Sequence, residues 1–256
     1  MMRIRREKQL HNLHKNKVFT WLLIFTLVGN IGYLQFYMRR ASAPQLMGKA
    51  IRFVNTQEKV IALTFDDGPN PEATEKILDL LEKYNAKATF FVVGKNAEKY
   101  PELVKVITAS GNELGNHSWD HQRLTYKSPA FIKNQIEKTD KLLRELGYKR
   151  EIPFRAPYGH KLLILPFILM QSHRLHYLWN IELEDWDSPP PQEMLQSFKE
   201  QIKPGSIVLL HDGYSGDYQP RQATVKFVEI LLSYCKDENY KVVPVGELER
   251  YQCIGQ

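Results

Sequence analysis

The chain has 256 residues, of which 43% are hydrophobic and 25% are charged. These proportions are those of an ordinary globular chain, so they exclude a disordered tail, a collagen, a coiled-coil rod and a multi-span membrane protein. The formal net charge is +6, and two cysteines are too few for a scaffold built on disulfides. A chain of this length predicts one domain, or one domain with a short appendage.

The excess positive charge is concentrated at the N-terminus. Residues 1–40 hold eight of the 35 basic side chains but one of the 29 acidic side chains, so the rest of the chain is nearly neutral. A domain without net positive charge lacks the electrostatic attraction on which nucleic-acid binding depends. We therefore expect no nucleic-acid partner.

Residues 18–38 carry no charged side chain, and aromatic residues lie toward both ends of this segment. A helix of this length can cross a hydrocarbon core ~30 Å thick, which predicts a transmembrane signal-anchor. Six positive charges precede the segment, so residues 1–17 are predicted to be a basic cytoplasmic tail and the domain is predicted to lie outside the cell membrane. The alternative is a signal peptide cleaved at Ala41-Ser42-Ala43, which would give a secreted protein.

Residues 39–57 are predicted to be a linker, after which two hydrophobic periodicities alternate along the chain. Short apolar, β-branched runs predict strands, and apolar residues at helical spacing predict helices. The strands are expected at 59–65, 88–93, 113–116, 152–155, 176–181, 207–210 and 241–245. The helices are expected at 71–86, 101–110, 128–146, 161–171, 192–201 and 224–234. These repeated units predict an α/β fold, either a mainly parallel sheet or a barrel with helices outside.

Titratable side chains follow five of the predicted strands, at the end where such folds place their chemistry. Each motif alone has an ordinary structural interpretation, such as a turn, a helix cap or a surface histidine. His-x-x-x-His, however, can supply two ligands to one metal ion. Five strand ends with such residues favour a single site. The residues are Asp66 and Asp67, His117 and His121, Arg155, Asp185 with Trp186, and His211 with Asp212.

Five motifs in this order resemble those of the polysaccharide deacetylase family, which is also known as the NodB homology domain or carbohydrate esterase family 4. They are TFDDGP at 64–69, HSWDH at 117–121, RAPY at 155–158, the Asp-Trp pair at 185–186 and LLHD at 209–212. The resemblance covers residues 58–250 and leaves 251–256 as a C-terminal tail. It implies a distorted (β/α) barrel that removes acetyl groups from N-acetylated or O-acetylated sugars with the help of a divalent metal.

The resemblance also implies the metal ligands, which would be Asp67, His117 and His121. This ligand set suits zinc, with cobalt, manganese or nickel as alternatives. A bound divalent metal lowers the pKa of its water, which amide hydrolysis near neutral pH requires.

The remaining motif residues have roles implied by the same resemblance. Asp66 would be the general base and His211 the general acid, with Arg155 orienting Asp66 and Asp185 hydrogen-bonded to His211. Tyr158 would offer its backbone N–H to the oxyanion. Trp186 and Leu209 would line the pocket for the acetyl methyl group.

The first expected substrate is the N-acetylglucosamine of peptidoglycan. Chitin oligosaccharides, poly-N-acetylglucosamine and O-acetylated xylan are alternatives that the same residues could process. A non-catalytic glycan-binding relative or a structural membrane protein would have no need to keep both Asp66 and His211. No protein partner is predicted, and the sequence leaves open whether Cys235 and Cys253 form a disulfide.

Overall fold

A computed structural model describes residues 2–38, 45, 47–214 and 220–253 of the protein. The strands are β1 (Ala50–Ile51), β2 (Val60–Asp66), β3 (Thr89–Val92), β4 (Glu113–Asn116), β5 (His176–Tyr177), β6 (Ile181–Glu182), β7 (Ile207–His211) and β8 (Lys241–Val243). The helices are α1 (Met2–Met38), α2 (Pro71–Lys83), α3 (Gly94–Lys99), α4 (Pro101–Ala109), α5 (Pro129–Glu145), α6 (Ile164–Gln171), α7 (Pro191–Gln201), α8 (Gln222–Asp237) and α9 (Val245–Leu248).

The paired strands form a parallel sheet with β2 at its centre. The order is β4-β3-β2-β7-β6, and β8 pairs with the first half of β2. Single-residue bridges at Phe154 continue the row from β4 to β5, which pairs with β1. Strands alternate with helices along the chain, so the predicted α/β class is confirmed.

The central strand β2 is buried along its whole length and separates two environments. Ile61, Leu63 and Phe65 belong to the larger apolar cluster, which includes residues of α2 and α8. Because side chains alternate across a strand, Thr64 and Asp66 point to the opposite face. A carboxylate can therefore end a buried strand without entering the apolar layer.

Two of the helices that begin at a proline, α2 and α5, are preceded by a side-chain cap. Asn70 precedes α2, and its side chain accepts a hydrogen bond from the Glu72 N–H. Ser128 precedes α5 and accepts one from the Phe131 N–H. Both caps bind an N–H that the helix leaves unpaired, and proline in the first turn needs no such partner. The cap of α2 also fixes the direction in which the chain leaves the end of β2.

The structure differs from several predicted elements. The strand expected at 241–245 ends at Val243 and is followed by the short helix α9, and β1 lies in the segment predicted as a linker. The strand expected at 152–155 is reduced to the bridge residue Phe154, because Pro153 has no N–H and the Ala156 N–H donates to His176 Nε2. The strand expected at 176–181 is divided into β5 and β6. The short helix α3 was not predicted, since a segment of its length shows no hydrophobic period.

The N-terminal helix α1 contains the segment predicted as a membrane anchor. No helix within the described residues combines the length and the apolar character needed to span a bilayer. This finding contradicts the transmembrane segment at 18–38, the membrane contact and the single-pass location. The prediction rested on the length of the uncharged run, on the aromatic residues near its ends and on the positive charges that precede it. The alternative cleavage site at 41–43 lies outside the described residues.

Part of the segment predicted as a linker, 39–57, packs against the domain. Val54 is buried, and its N–H donates to the Gly205 carbonyl at 2.8 Å. Gly205 has a φ of +79°, and a Cβ there would lie 1.8 Å from the Val54 carbonyl oxygen, so only glycine fits. The Cys253 N–H donates to a carbonyl of the same segment. The thiols of Cys253 and Cys235 are both free.

We expect the stack between Phe65 and Phe90 to contribute strongly to stability. The two rings are fully buried on paired strands, with centroids 5.1 Å apart. Phe90→Ala would leave a cavity in this layer and lower the free energy of unfolding by about 3–5 kcal/mol in denaturant titrations. The control is Phe53→Ala, because Phe53 is 47% exposed and should lose less than about 1 kcal/mol. Equal losses in the two variants would contradict the assigned core.

Candidate active site

The predicted site residues meet at one edge of the sheet. Asp66 is the last residue of β2, His211 is the last residue of β7, and the two are direct partners in the strand register. His117 follows β4, and its N–H bonds the last carbonyl of β3. This is the carboxyl edge, where ligands bind in parallel α/β sheets.

Arg155 is fully buried, and every nitrogen of its guanidinium donates at least one hydrogen bond. Nη1 donates to Asp66 Oδ1 at 2.8 Å and to Thr64 Oγ1 at 2.7 Å. Nε and Nη2 donate to the carbonyls of Tyr177 and Leu178. Burial raises the pKa of Asp66, while the charge and the hydrogen bond of Arg155 act in the opposite direction. The sequence signal for Thr64 was a polar residue two positions before Asp66 on a buried strand.

Asp67, His117 and His121 form a buried cluster in which each residue offers one ligand atom. These atoms all lie within 4.8 Å of one another. Asp67 Oδ1 is 3.1 Å from His121 Nε2 and 3.6 Å from His117 Nε2. An anionic oxygen and two imidazole nitrogens directed at one buried space are the donors that a divalent metal takes.

The protonation state of His117 is the one that metal binding requires. Its Nδ1 lies 2.9 Å from the Arg155 carbonyl oxygen, which can only accept, so Nδ1 carries the proton and Nε2 has a free lone pair. Burial and the neighbouring His121 lower the pKa of His117 to about 3. Asp67 Oδ1 is buried and accepts no hydrogen bond from any residue that the structure describes. The cluster therefore fits a divalent metal ion.

The loop that carries the two histidines has an unusual backbone and dedicated supports. Ser118 and His121 both have left-handed φ values, +68° and +57°. Gln135 Oε1 accepts the N–H groups of residues 119–120, and the Asn116 side chain accepts that of Ser118. Gln135 and Asn116 were not identified from the sequence. The available signal for Gln135 was a polar residue on the apolar face of α5.

His211 is paired with a buried carboxylate. Its Nδ1 donates to Asp185 Oδ1 at 2.8 Å, while the His211 N–H and the Thr224 hydroxyl donate to Asp185 Oδ2. Burial alone would lower the pKa of His211. The charge and hydrogen bond of Asp185, together with Asp66 and Asp67, outweigh burial and raise this pKa to about 9. His211 is therefore protonated at neutral pH. Thr224 was not identified from the sequence.

The predicted substrate-binding residues lie around these groups. Trp186 meets His211 edge to face, with ring centroids 5.4 Å apart. Leu209 is nearly buried on β7 beside the central strand. Tyr158 is 48% exposed with a φ of +59°, and its ring centroid is 4.7 Å from that of His121. Their roles toward a substrate stay predictions, as do those of the catalytic and metal-binding residues.

Comparison with known proteins gives consistent matches. The profile described as Polysaccharide deacetylase matches residues 53–164. The chain is 35% identical over 204 residues to a peptidoglycan-N-acetylglucosamine deacetylase of Bacillus cereus, covering 78% of this chain and 92% of the relative. It is also 35% identical over 196 residues to the peptidoglycan-N-acetylmuramic acid deacetylase PdaC of Bacillus subtilis. That match covers 77% of this chain but 40% of the relative.

A solved structure agrees with these matches. The crystal structure of the Bc1960 peptidoglycan N-acetylglucosamine deacetylase superposes with a TM-score of 0.74 at 30% identity. The superposition covers 80% of this chain and 95% of that chain. The resemblance inferred from the five motifs is therefore confirmed, and the chain belongs to the polysaccharide deacetylase family.

Proposed function

We propose that the protein hydrolyses acetyl groups from N-acetylated peptidoglycan, with N-acetylglucosamine residues as the first substrate. The observation that carries this proposal is the placement of a carboxylate, a protonated histidine and a metal-binding cluster around one site. The relatives named above support the substrate class, since both act on N-acetylated sugars of peptidoglycan. The proposed domain is 58–250, extended by the packed residues that precede it.

Asp67, His117 and His121 would hold the metal, for which zinc is the first choice and cobalt, manganese or nickel are alternatives. A divalent ion bound there would lower the pKa of a water molecule and polarise the acetyl carbonyl. Burial keeps the His117 imidazole neutral, because it penalises the charged form and lowers the pKa. The Arg155 carbonyl orients His117 for this purpose.

Asp66 is proposed as the general base. Its Oδ1 is held by Arg155, and its Oδ2 lies 3.6 Å from His117 Nε2, on the side of the metal-binding cluster. A water between these groups would give its proton to Oδ2 as it attacks the acetyl carbon. Arg155 supports this role because it holds the carboxylate in one orientation and favours its ionised form.

His211 is proposed as the general acid. Since Nδ1 is bonded to Asp185, the proton available for transfer is on Nε2. It would pass to the sugar nitrogen when the C–N bond breaks, leaving a free amine and acetate. Trp186 and Leu209 would form the apolar wall for the acetyl methyl group, and the Tyr158 N–H would stabilise the oxyanion.

Chitin oligosaccharides, poly-N-acetylglucosamine and acetylated xylan are the alternative substrates. The test is acetate release by the full chain from peptidoglycan, chitin oligosaccharides and acetylated xylan, each with chelator and with zinc added back. We expect zinc-dependent release, fastest from peptidoglycan. Release from xylan alone would make the protein an O-esterase, and no release from any substrate by the zinc-loaded chain would contradict the proposal.

Two substitutions should separate the base from the metal ligands. Asp66→Asn should lower kcat by about 10²–10⁴-fold while zinc still binds, because it removes the proton acceptor. His117→Asn should abolish tight zinc binding and, with it, acetate release. Zinc content and acetate release are measured on the same preparations. His173→Asn is the control for histidine loss, since His173 is exposed. Full activity in Asp66→Asn would contradict the assigned base.

The pairing of His211 with Asp185 predicts a pH dependence. Because the pKa of His211 is raised to about 9, kcat/KM should fall as the pH rises through this value and the acid loses its proton. Asp185→Asn removes the charge that raises the pKa, so the alkaline limb should move to lower pH, with kcat reduced about 10- to 100-fold. Asp187→Asn, an exposed change in the same turn, is the control. An unchanged alkaline limb in Asp185→Asn would refute His211 as the acid.

A further inference from the structure

A permanent positive charge lies at the rim of the site. The guanidinium carbon of Arg123 is 4.8 Å from the centroid of the Tyr158 ring. The same ring also lies next to His121, at 4.7 Å between ring centroids. Tyr158 therefore contacts both Arg123 and a residue of the metal-binding cluster, which places Arg123 next to the site.

The guanidinium is available for a ligand. Arg123 is exposed, and no carboxylate in the described residues forms an ion pair with it. The nearest acidic residue along the chain, Asp120, is engaged by Gln122 at 2.9 Å and by Lys95 at 4.0 Å. An arginine whose plane rests on an aromatic ring is partly ordered before binding, so it loses less freedom when it pairs with an anion.

Tyr158, the aromatic residue next to Arg123, has a backbone conformation that residues other than glycine rarely adopt. Tyr158 combines a left-handed φ of +59° with 48% exposure of its side chain. Such conformations cost free energy and persist where the surroundings fix them, which happens most often at binding sites. Here the ring contacts both the His121 imidazole and Arg123. These two contacts place the charge of Arg123 beside the metal-binding cluster.

The exposed charges near Tyr158 and near Trp186 differ in sign. Glu184 and Asp187 are exposed on the side of Trp186 and His211. A substrate with one negative group would therefore be attracted toward Arg123 and repelled from the other side. The polarity favours one orientation of the saccharide chain over its reverse.

We propose that Arg123, supported by Tyr158, binds a carboxylate of the saccharide next to the sugar that loses its acetyl group. This inference rests on the proposed function and specifies its substrate as an acidic amino-sugar polymer. In peptidoglycan the carboxylate comes from the lactyl ether of the neighbouring sugar or from the peptide attached to it. Chitin oligosaccharides and poly-N-acetylglucosamine carry no such group. A guanidinium pairs with a carboxylate through two parallel hydrogen bonds.

The test compares binding of three saccharides of equal length by calorimetry, with chelator present so that no turnover occurs. The first is a peptide-free peptidoglycan tetrasaccharide with free lactyl carboxylates. The second is the same compound with these groups converted to methylamides. The third carries the stem peptides, whose carboxylates replace those of the lactyl groups. Preference for the first or the third over the second identifies the source of the carboxylate.

We expect the protein to bind at least one acidic saccharide about five- to tenfold more tightly than the methylamide, as for a partly exposed charged pair. Arg123→Gln should reduce this ratio to about one, and Arg123→Lys should retain part of it, because lysine keeps the charge but not the planar fork. Arg250→Gln removes an exposed arginine elsewhere and should retain the full ratio.

Equal binding of acidic and amidated saccharides by the unaltered chain would overturn the proposal, as would a preserved ratio in Arg123→Gln. Acetate release from neutral chitin oligosaccharides by the zinc-loaded chain is measured in parallel. Release without a preference for the acidic saccharides refutes the Arg123 subsite alone. A preference that depends on Arg123, with no release from any substrate, supports the subsite and contradicts the proposed hydrolysis.

Discussion

The buried ion pair between Arg155 and Asp66 is the interaction on which the rest of the site depends. Moving two charges out of water costs several kcal/mol for each ion, and good geometry is needed to offset that cost. Arg155 meets this condition, since every nitrogen of its guanidinium donates to a buried acceptor. Its backbone carbonyl also accepts the Nδ1 proton of His117. One residue thus orients the proposed base through its side chain and a proposed metal ligand through its main chain.

The balance of buried charge also favours a cation at the site. Asp66 is paired with Arg155, and Asp185 is paired with protonated His211. Burial raises the pKa of Asp212 to about 7, and Thr74 donates a hydrogen bond to its carboxyl. Asp67 Oδ1 and Asp212 Oδ1 are both buried and accept no hydrogen bond within the described residues, but Asp67 is the one that lies in a cluster with His117 and His121. A divalent metal at Asp67 would complete the pattern, since buried charges are otherwise paired.

The positions of the functional groups could be predicted from the sequence, whereas residues that hydrogen-bond to the loops carrying them could not. Asp66 and His211 could be placed together because each follows a recognisable apolar strand, and parallel strands share a carboxyl edge. Gln135 could not be placed, because its hydrogen bonds reach a loop 15 and 16 residues away along the chain. Asn116 bonds the same loop two residues on, but its bond to the Ile136 carbonyl of α5 spans 20 residues and leaves no local pattern. Hydrophobic periodicity also fails to predict elements that are too short to show it, such as α3 and the single bridge at Phe154. The membrane prediction rested on local features of one segment, and no helix within the described residues bears it out.

The central claim is that the cluster of Asp67, His117 and His121 binds a metal ion on which deacetylation depends. The most direct test is a titration of the metal-free full chain with zinc, in which bound zinc and acetate release from peptidoglycan are measured on the same samples. The account predicts that release rises in proportion to bound zinc and stops rising at one zinc per chain. Acetate release at full rate from the metal-free chain, or a chain that binds zinc at this cluster without any gain in release, would contradict it.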